Sequence, residues 1–293
     1  MYVVRDLNRE DKMPEGDTLY RTARTLARAF EGRVVTAFRS TFSKLLRFND
    51  DTPLVGQTIT HIESRGKYLL IHFSSGSTLV THMLMNGSWH IYRPGERWHK
   101  PSAQMRIVIE TSDYIAVGFQ IPVAEMHTAD SLRRHPRIPA LEHDVLRPEF
   151  DLDTAVAKLL ALPNEEIAEA LLDQRITAGV GNEFKSETCF VARVHPFERI
   201  SALSRARLEE IVATAQRLLH ANILDTPSAN NAAWRRTTHA MSPDKSVWVY
   251  ERTGQPCRIC STPILRRLQG PNARATYWCP LCQPLLDNTS IDS

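Results

Sequence analysis

The sequence predicts an α+β protein: a leading helix with an antiparallel β-sandwich, then a helical domain, then a cysteine-bearing β-hairpin. Three observations give this class. One amphipathic helical pattern is followed by short β-rich runs up to about Met126. The region after residue 150 carries helical periods, and the C-terminal segment holds two Cys-x-x-Cys pairs. At 293 residues the chain is long for one core and comfortable for two.

Residues 1–12 are polar and charged with no hydrophobic period. They read as an extension outside the first domain, either disordered or upstream of the true start. After Gly16, Leu19, Ala23, Leu26, Ala27 and Phe30 recur at helical spacing, with Asp17 or Thr18 placed to cap and Gly32 to end the helix. From Val34 onward the runs Tyr68–Phe73, Thr78–Thr81 and Arg106–Ile109 are β-rich and separated by Gly, Ser, Asn and Asp. These elements make a first domain over 13–130. Residues 131–150, rich in Pro, Arg and His, read as a linker. Helices are expected at Leu152–Leu162, Glu165–Asp173, Gly181–Val191 and Ser204–Ala221, within a domain over 151–245. A hairpin segment, 246–283, and a tail, 284–293, complete the chain. No internal repeat is visible.

No stretch approaches the roughly 18 consecutive apolar residues of a membrane span. The first twelve residues lack a signal-peptide core, so a cytosolic protein is expected. Net charge is +3 and the pI about 8.6, which alone says little about nucleic acid. The charge is uneven, however. From Trp234 onward there are eight basic residues (Arg235, Arg236, Lys245, Arg252, Arg258, Arg266, Arg267, Arg274) against four acidic ones (Asp244, Glu251, Asp287, Asp292).

Cys257-x-x-Cys260 and Cys279-x-x-Cys282 are separated by eighteen residues. In a reducing cytosol such knuckles read as one structural zinc site with four thiolate ligands and no open position. The alternative is a labile redox dithiol. Metal binding worth roughly 10–16 kcal/mol in zinc-finger peptides would hold an otherwise coreless hairpin. Cys189 is left over and reads as an inert core thiol.

The run Ile176-Thr-Ala-Gly179-Val-Gly181-Asn182-Glu183 joins two expected helices. Gly179 and Gly181 supply the freedom of a tight turn, and Asn182 falls where an N-cap belongs. Such a helix start is a ready phosphate site, and Lys185 adds a cation on the same face. A capped interhelical turn without a ligand fits these residues equally well.

Four separated pieces resemble one family, in the family's order. Met13-Pro14-Glu15-Gly16-Asp17-Thr18 is similar to the Pro-Glu-Gly opening of mature endonuclease VIII enzymes. Arg65-Gly66-Lys67 resembles the lysine-bearing β-turn of their first domain. Gly179-Val-Gly-Asn182 resembles their helix–two-turn–helix element, and Ala273-Arg274-Ala-Thr-Tyr-Trp-Cys279-Pro-Leu-Cys282-Gln their arginine-bearing zinc finger. The chain thus resembles the formamidopyrimidine-DNA glycosylase/endonuclease VIII family, and most of all its actinobacterial endonuclease VIII type.

The resemblance implies a bifunctional DNA glycosylase/AP lyase of base-excision repair, acting as a monomer on damaged DNA with no organic cofactor. It implies Pro14 as the nucleophile through a freed secondary amine, since an α-amine of pKa about 7.7–8.0 is partly neutral at physiological pH. Glu15 would move protons as the sugar opens. Lys67, Asn182 and Arg274 would grip the phosphates flanking the lesion, and Met85, in His82-Met-Leu-Met85, would enter the stack where the base leaves. Read without the resemblance, Pro14 is a helix-start proline, Glu15 a helix-dipole acid, Met85 a core methionine and the cations solvated surface. Thr18 stands where the family often has a second glutamate. The Asp-Pro-Arg-Arg-Phe stretch of the 8-oxoguanine enzymes is absent from Tyr114–Glu125, which favours oxidised pyrimidines as substrates. Twelve residues precede Met13, and with them attached Pro14 is an internal amide. Translation is therefore expected to begin at Met13. The competing reading is a non-catalytic member that binds damaged or single-stranded DNA.

Overall fold

The computed structural model describes residues 14–138, 140–223, 235–240 and 242–286. The extension 1–12 and the tail beyond Leu286 lie outside the described residues. Two compact units divide the chain after Ile138, inside the segment expected as a linker.

In the first unit the leading helix α1 spans Gly16–Phe30. Its first turn closes on the Glu15 carbonyl, which accepts from Thr18 N–H and Leu19 N–H at 3.0 and 3.1 Å. Leu19, Ala23, Leu26 and Phe30 are all buried, so the apolar stripe read from the sequence is the core face. The next elements are β1 (Ala37–Ser40) and α2 (Ser43–Asp51), then β2 (Ile59–Arg65), β3 (Tyr68–Phe73), β4 (Ser77–His82) and β5 (Ser88–Tyr92). After them come β6 (Met105–Glu110), β7 (Ile115–Phe119), β8 (Val123–Thr128) and the short α3 (Ala129–Arg133).

Two four-stranded antiparallel sheets result, ordered β2-β3-β4-β8 and β1-β6-β7-β5. Alternation decides what each contributes. Ile62, Leu69, Ile71, Phe73 and Leu79 of the first sheet meet Trp89, Ile91, Ile107 and Ile109 of the second, together with the α1 stripe, in one core. Burial of this apolar area drives the sandwich together.

The second unit contains α4 (Leu152–Leu160), α5 (Ile167–Ala170), α6 (Asn182–Val191) and α7 (Arg205–Ala221). Asp151 and Ser204 cap α4 and α7 through their side chains. The hairpin β9 (Leu265–Gln269) and β10 (Arg274–Trp278) follows, paired Leu265↔Trp278 through Gln269↔Arg274. Beside it Phe190, Val249, Cys257, Ile264, Tyr277 and Cys279 form a small core. No helix among the described residues is long and apolar enough to cross a membrane.

Candidate functional site

In the first unit Pro14 and Glu15 stand directly before α1 and are buried; Glu15 is 0% exposed. The Pro14 nitrogen is acylated by the preceding residue in the full chain. Asp17, also buried, is paired with Arg21 at 3.2 Å one turn on.

Lys67 lies in the two-residue turn between β2 and β3, whose flanking pair is Arg65↔Tyr68. Gly66 takes φ +55° at the first central position, where hairpins of the II′ kind need glycine. The cation of Lys67 reaches the environment of His82. Burial, and then the charges of Lys67 and Arg137, pull the His82 pKa from 6.5 to about 4. The imidazole is therefore neutral at physiological pH. Its Nδ1 accepts the Leu84 N–H at 3.0 Å, and Tyr68 meets its ring edge-on at 4.7 Å.

That bond opens the loop that carries Met85. Leu84 has φ +46°, and Gly87 N–H donates to the Met83 carbonyl at 2.8 Å. A β-carbon on Gly87 would lie 2.7 Å from that carbonyl oxygen, so the turn requires glycine. The core methionine is Met83, at 0% exposure, whereas Met85 is 59% exposed beside Leu84. The loop presents two apolar side chains outward.

In the second unit the turn before α6 is closed by Gln174. Its Oε1 accepts Gly179 N–H at 3.0 Å and its Nε2 donates to the Val180 carbonyl at 3.0 Å. Gly179 has φ +99°. The N-cap is Gly181, one residue before the expected Asn182, which is the first helical residue and 6% exposed. Asn182 Nδ2 donates to the Ala275 carbonyl at 2.8 Å, while its Oδ1 is buried without a hydrogen-bond partner. Asn182 is thus tied to the strand residue next to Arg274, which is half-buried at the start of β10.

Lys185, expected as a cation on the phosphate-binding face of this helix start, points into the protein instead. It is 0% exposed, and its Nζ donates to Thr276 Oγ1 at 2.6 Å. The whole run Asn182–Phe190 is buried, so the charges on α6 have protein partners. Glu183 pairs with Arg235 at 2.9 Å. Glu187 accepts N–H bonds from Trp248, Val249 and Tyr250 at 2.8–2.9 Å and the Thr237 hydroxyl. Burial pushes its carboxyl up, against the pull of those donors. Cys189 is buried, and desolvation pushes its thiol up to about 12, as an unreactive core cysteine requires.

The four remaining cysteines converge, with all four sulfurs within 4.8 Å of one another. Cys257···Cys282 is 3.8 Å, and Cys260 lies 3.4 Å from both Cys279 and Cys282. A tetrahedral ion with metal–sulfur bonds of about 2.3 Å has edges of roughly 3.8 Å. The sulfurs of Cys257 and Cys279 also accept N–H bonds from Ile259 and Cys282 at 3.4 and 3.5 Å, which suit thiolates. This donor set fits one metal ion.

Among the polar groups that hold these sites, His82, Gln269, Thr276, Glu187 and Arg235 were not legible as such. Each has an ordinary surface residue type; the partners of Gln269, Thr276, Glu187 and Arg235 lie far away in sequence or inside a strand, and that of His82 is a backbone N–H in the following turn.

The chain matches the formamidopyrimidine-DNA glycosylase N-terminal domain over residues 13–137 and the H2TH domain of that glycosylase over 141–231. It is 39% identical over 275 residues to a probable endonuclease 8 of Streptomyces coelicolor, covering 92% of this chain and 94% of the relative. It is 35% identical to the DNA-(apurinic or apyrimidinic site) lyase Nei2 of Mycolicibacterium smegmatis, over 92% and 99% of the two chains. Endonuclease 8 of Escherichia coli is 31% identical, over 92% and 100%. Among solved structures, Lactococcus lactis formamidopyrimidine-DNA glycosylase bound to DNA with an AP site superposes with a TM-score of 0.76 at 20% identity. That likeness covers 92% of this chain and 99% of that one and bears on the fold.

Proposed function

Because the chain belongs to the formamidopyrimidine-DNA glycosylase family, on its endonuclease 8 side, we propose that it is a bifunctional DNA glycosylase/AP lyase of base-excision repair. Its substrates are oxidised pyrimidines and abasic sites in DNA, and it works as a monomer in the cytosol. The observation that carries this reading is the family match beginning at residue 13, immediately before Pro14 and Glu15.

The amine of Pro14, once it is the chain terminus, attacks the deoxyribose C1′. The glycosidic bond breaks and the base departs with the bond's electron pair and a proton, while the proline nitrogen loses its own; the C1′–O4′ bond then opens, O4′ takes a proton, and an iminium forms between the Pro14 nitrogen and C1′. That cation drains electrons from the sugar, so loss of a C2′ proton expels the 3′ phosphate (β-elimination), and the 5′ phosphate follows (δ-elimination). Glu15, beside the nucleophile in sequence, serves the proton transfers. Lys67, Asn182 and Arg274 hold backbone phosphates of the everted nucleotide, Lys67 and Arg274 also serving the chemistry through their charge, and Met85 fills the gap in the stack. Lys185 contributes to DNA binding through the hairpin it supports. Cys257, Cys260, Cys279 and Cys282 hold one structural zinc.

Single-turnover excision on matched duplexes tests the specificity. Oxidised pyrimidine should leave faster than 8-oxoguanine opposite cytosine; the reverse order would overturn that part. A non-catalytic damage-binding protein is the second reading, motivated by the acylated Pro14 nitrogen of the full chain. It would bind abasic-site DNA without cleaving it or forming a borohydride-stable adduct.

A further inference from the structure

Gln269 and Thr276 are buried polar residues that the chemistry above does not use, and they flank Arg274 on the hairpin that Lys185 supports. Gln269 is the cross-strand partner of Arg274 and is 4% exposed. Its Nε2 donates to Glu166 Oε2 at 2.7 Å and to the Pro196 carbonyl at 3.1 Å, and its Oε1 accepts from Thr276 Oγ1 at 2.7 Å. Thr276, 0% exposed, in turn accepts from Lys185 Nζ at 2.6 Å.

The polarity of this chain is fixed. An ammonium group only donates, so the Thr276 hydroxyl proton is committed to Gln269. The Gln269 amide cannot be reversed, because its oxygen would then face a carboxylate and a carbonyl. The chain therefore runs in one direction, from the Lys185 cation to the Glu166 carboxylate, and joins α6, both hairpin strands and the start of α5. Asn182 adds a second tie to Ala275. Residues 269, 275 and 276 are all anchored, and Arg274 lies between them by sequence and register.

We propose that the chain Lys185–Thr276–Gln269–Glu166 positions Arg274, fixing the hairpin so that its guanidinium is set in advance for a DNA phosphate. This rests on the proposed phosphate grip of Arg274. A long cation on an unanchored two-stranded hairpin would have to be ordered at each binding event, and anchoring removes that cost.

The test uses the full-length, zinc-loaded protein and duplex DNA carrying a tetrahydrofuran abasic analogue, with Kd measured across a salt series. Thr276→Val keeps the shape and removes the hydroxyl; Thr276→Ser keeps the hydroxyl. Thr276→Ser should match the wild type. Thr276→Val should bind roughly tenfold more weakly, as loss of a charge-assisted hydrogen bond implies. Its log Kd–log salt slope should fall by about one counterion, as for Arg274→Ala. Combined with Arg274→Ala it should add nothing further. A wild-type slope in Thr276→Val beside a flattened one in Arg274→Ala, or additive losses, would overturn the positioning role while leaving the grip intact. An unchanged slope in Arg274→Ala would remove the grip, and the inference with it. Should Thr276→Val fail to retain zinc, Gln269→Met takes its place in the same comparison.

Discussion

Gly270→Ala offers a perturbation whose cost can be worked from the structure. Gly270 holds φ +67° in the turn joining β9 to β10, and an added β-carbon would lie 1.9 Å from Glu169 Oε2 and 2.3 Å from its Cδ. A left-handed backbone costs an L-residue about 1–2 kcal/mol. The Glu169 side chain must also withdraw, and leaving its rotamer adds on the order of 1 kcal/mol. The expected destabilisation is about 2–3 kcal/mol, read from urea unfolding of the zinc-loaded protein. Glu169→Ala should leave only the backbone part in the double variant, so the two changes must be non-additive by about 1 kcal/mol. A Gly270→Ala protein within about 0.5 kcal/mol of wild type would refute the close approach. Full additivity would refute the role given to Glu169.

Glu187→Gln keeps one acceptor oxygen but turns an amide NH₂ toward either two backbone N–H groups or one N–H and the Thr237 hydroxyl. It should cost about 1–3 kcal/mol in unfolding free energy, and an undiminished stability would show that the buried carboxylate is not needed. His82 has a folded pKa near 4 against 6.5 for the free group. The unfolded chain therefore takes up its proton first, and stability is lost as pH falls through that window, by up to about one proton in slope. In His82→Asn that component should vanish from stability measured between pH 7 and pH 4, and identical profiles would contradict the assignment. Substituting Cys257 or Cys279 with Ser should release zinc, melt the hairpin and weaken DNA binding. Metal analysis finding equal zinc in variant and wild type would rule out the four-cysteine site.

Much of the fold was legible because periodicity records burial. The α1 stripe, β3, β4 and β6, and the spans of α6 and α7 all appear where the apolar pattern puts them. The helix α2 was not legible: only Leu45 of its nine residues is buried, so it has no stripe to read. The expected Glu165–Asp173 helix contracts to Ile167–Ala170. Beyond Ala170 the chain turns toward the glycine-containing loop, and the Leu171 carbonyl accepts the Thr177 hydroxyl at 2.7 Å.

The cysteine spacing announced its cluster outright, because two knuckles can converge on one centre whatever lies between them. Charge was the opposite case. Lys185 and Glu187 have the residue types of a solvated face, yet they are buried by partners 50–91 residues further along the chain. A single sequence holds no local sign of such pairings. Met83 and Met85 show the same limit at short range. Two residues apart, one is core and the other exposed, and it is the loop geometry set by His82 and Gly87 that separates them.

The central claim is that the nucleophile is the free amine of Pro14. As an internal residue, its nitrogen is a tertiary amide whose lone pair is delocalised into the carbonyl, and it cannot form an iminium. Two forms of the protein, one beginning at Met1 and one at Met13, should be verified by intact mass and treated with abasic-site DNA and borohydride. The short form, after loss of Met13, should form a covalent adduct and cleave the strand. The long form should do neither. Equal trapping by an intact long form would contradict the proline mechanism and direct attention to Lys67.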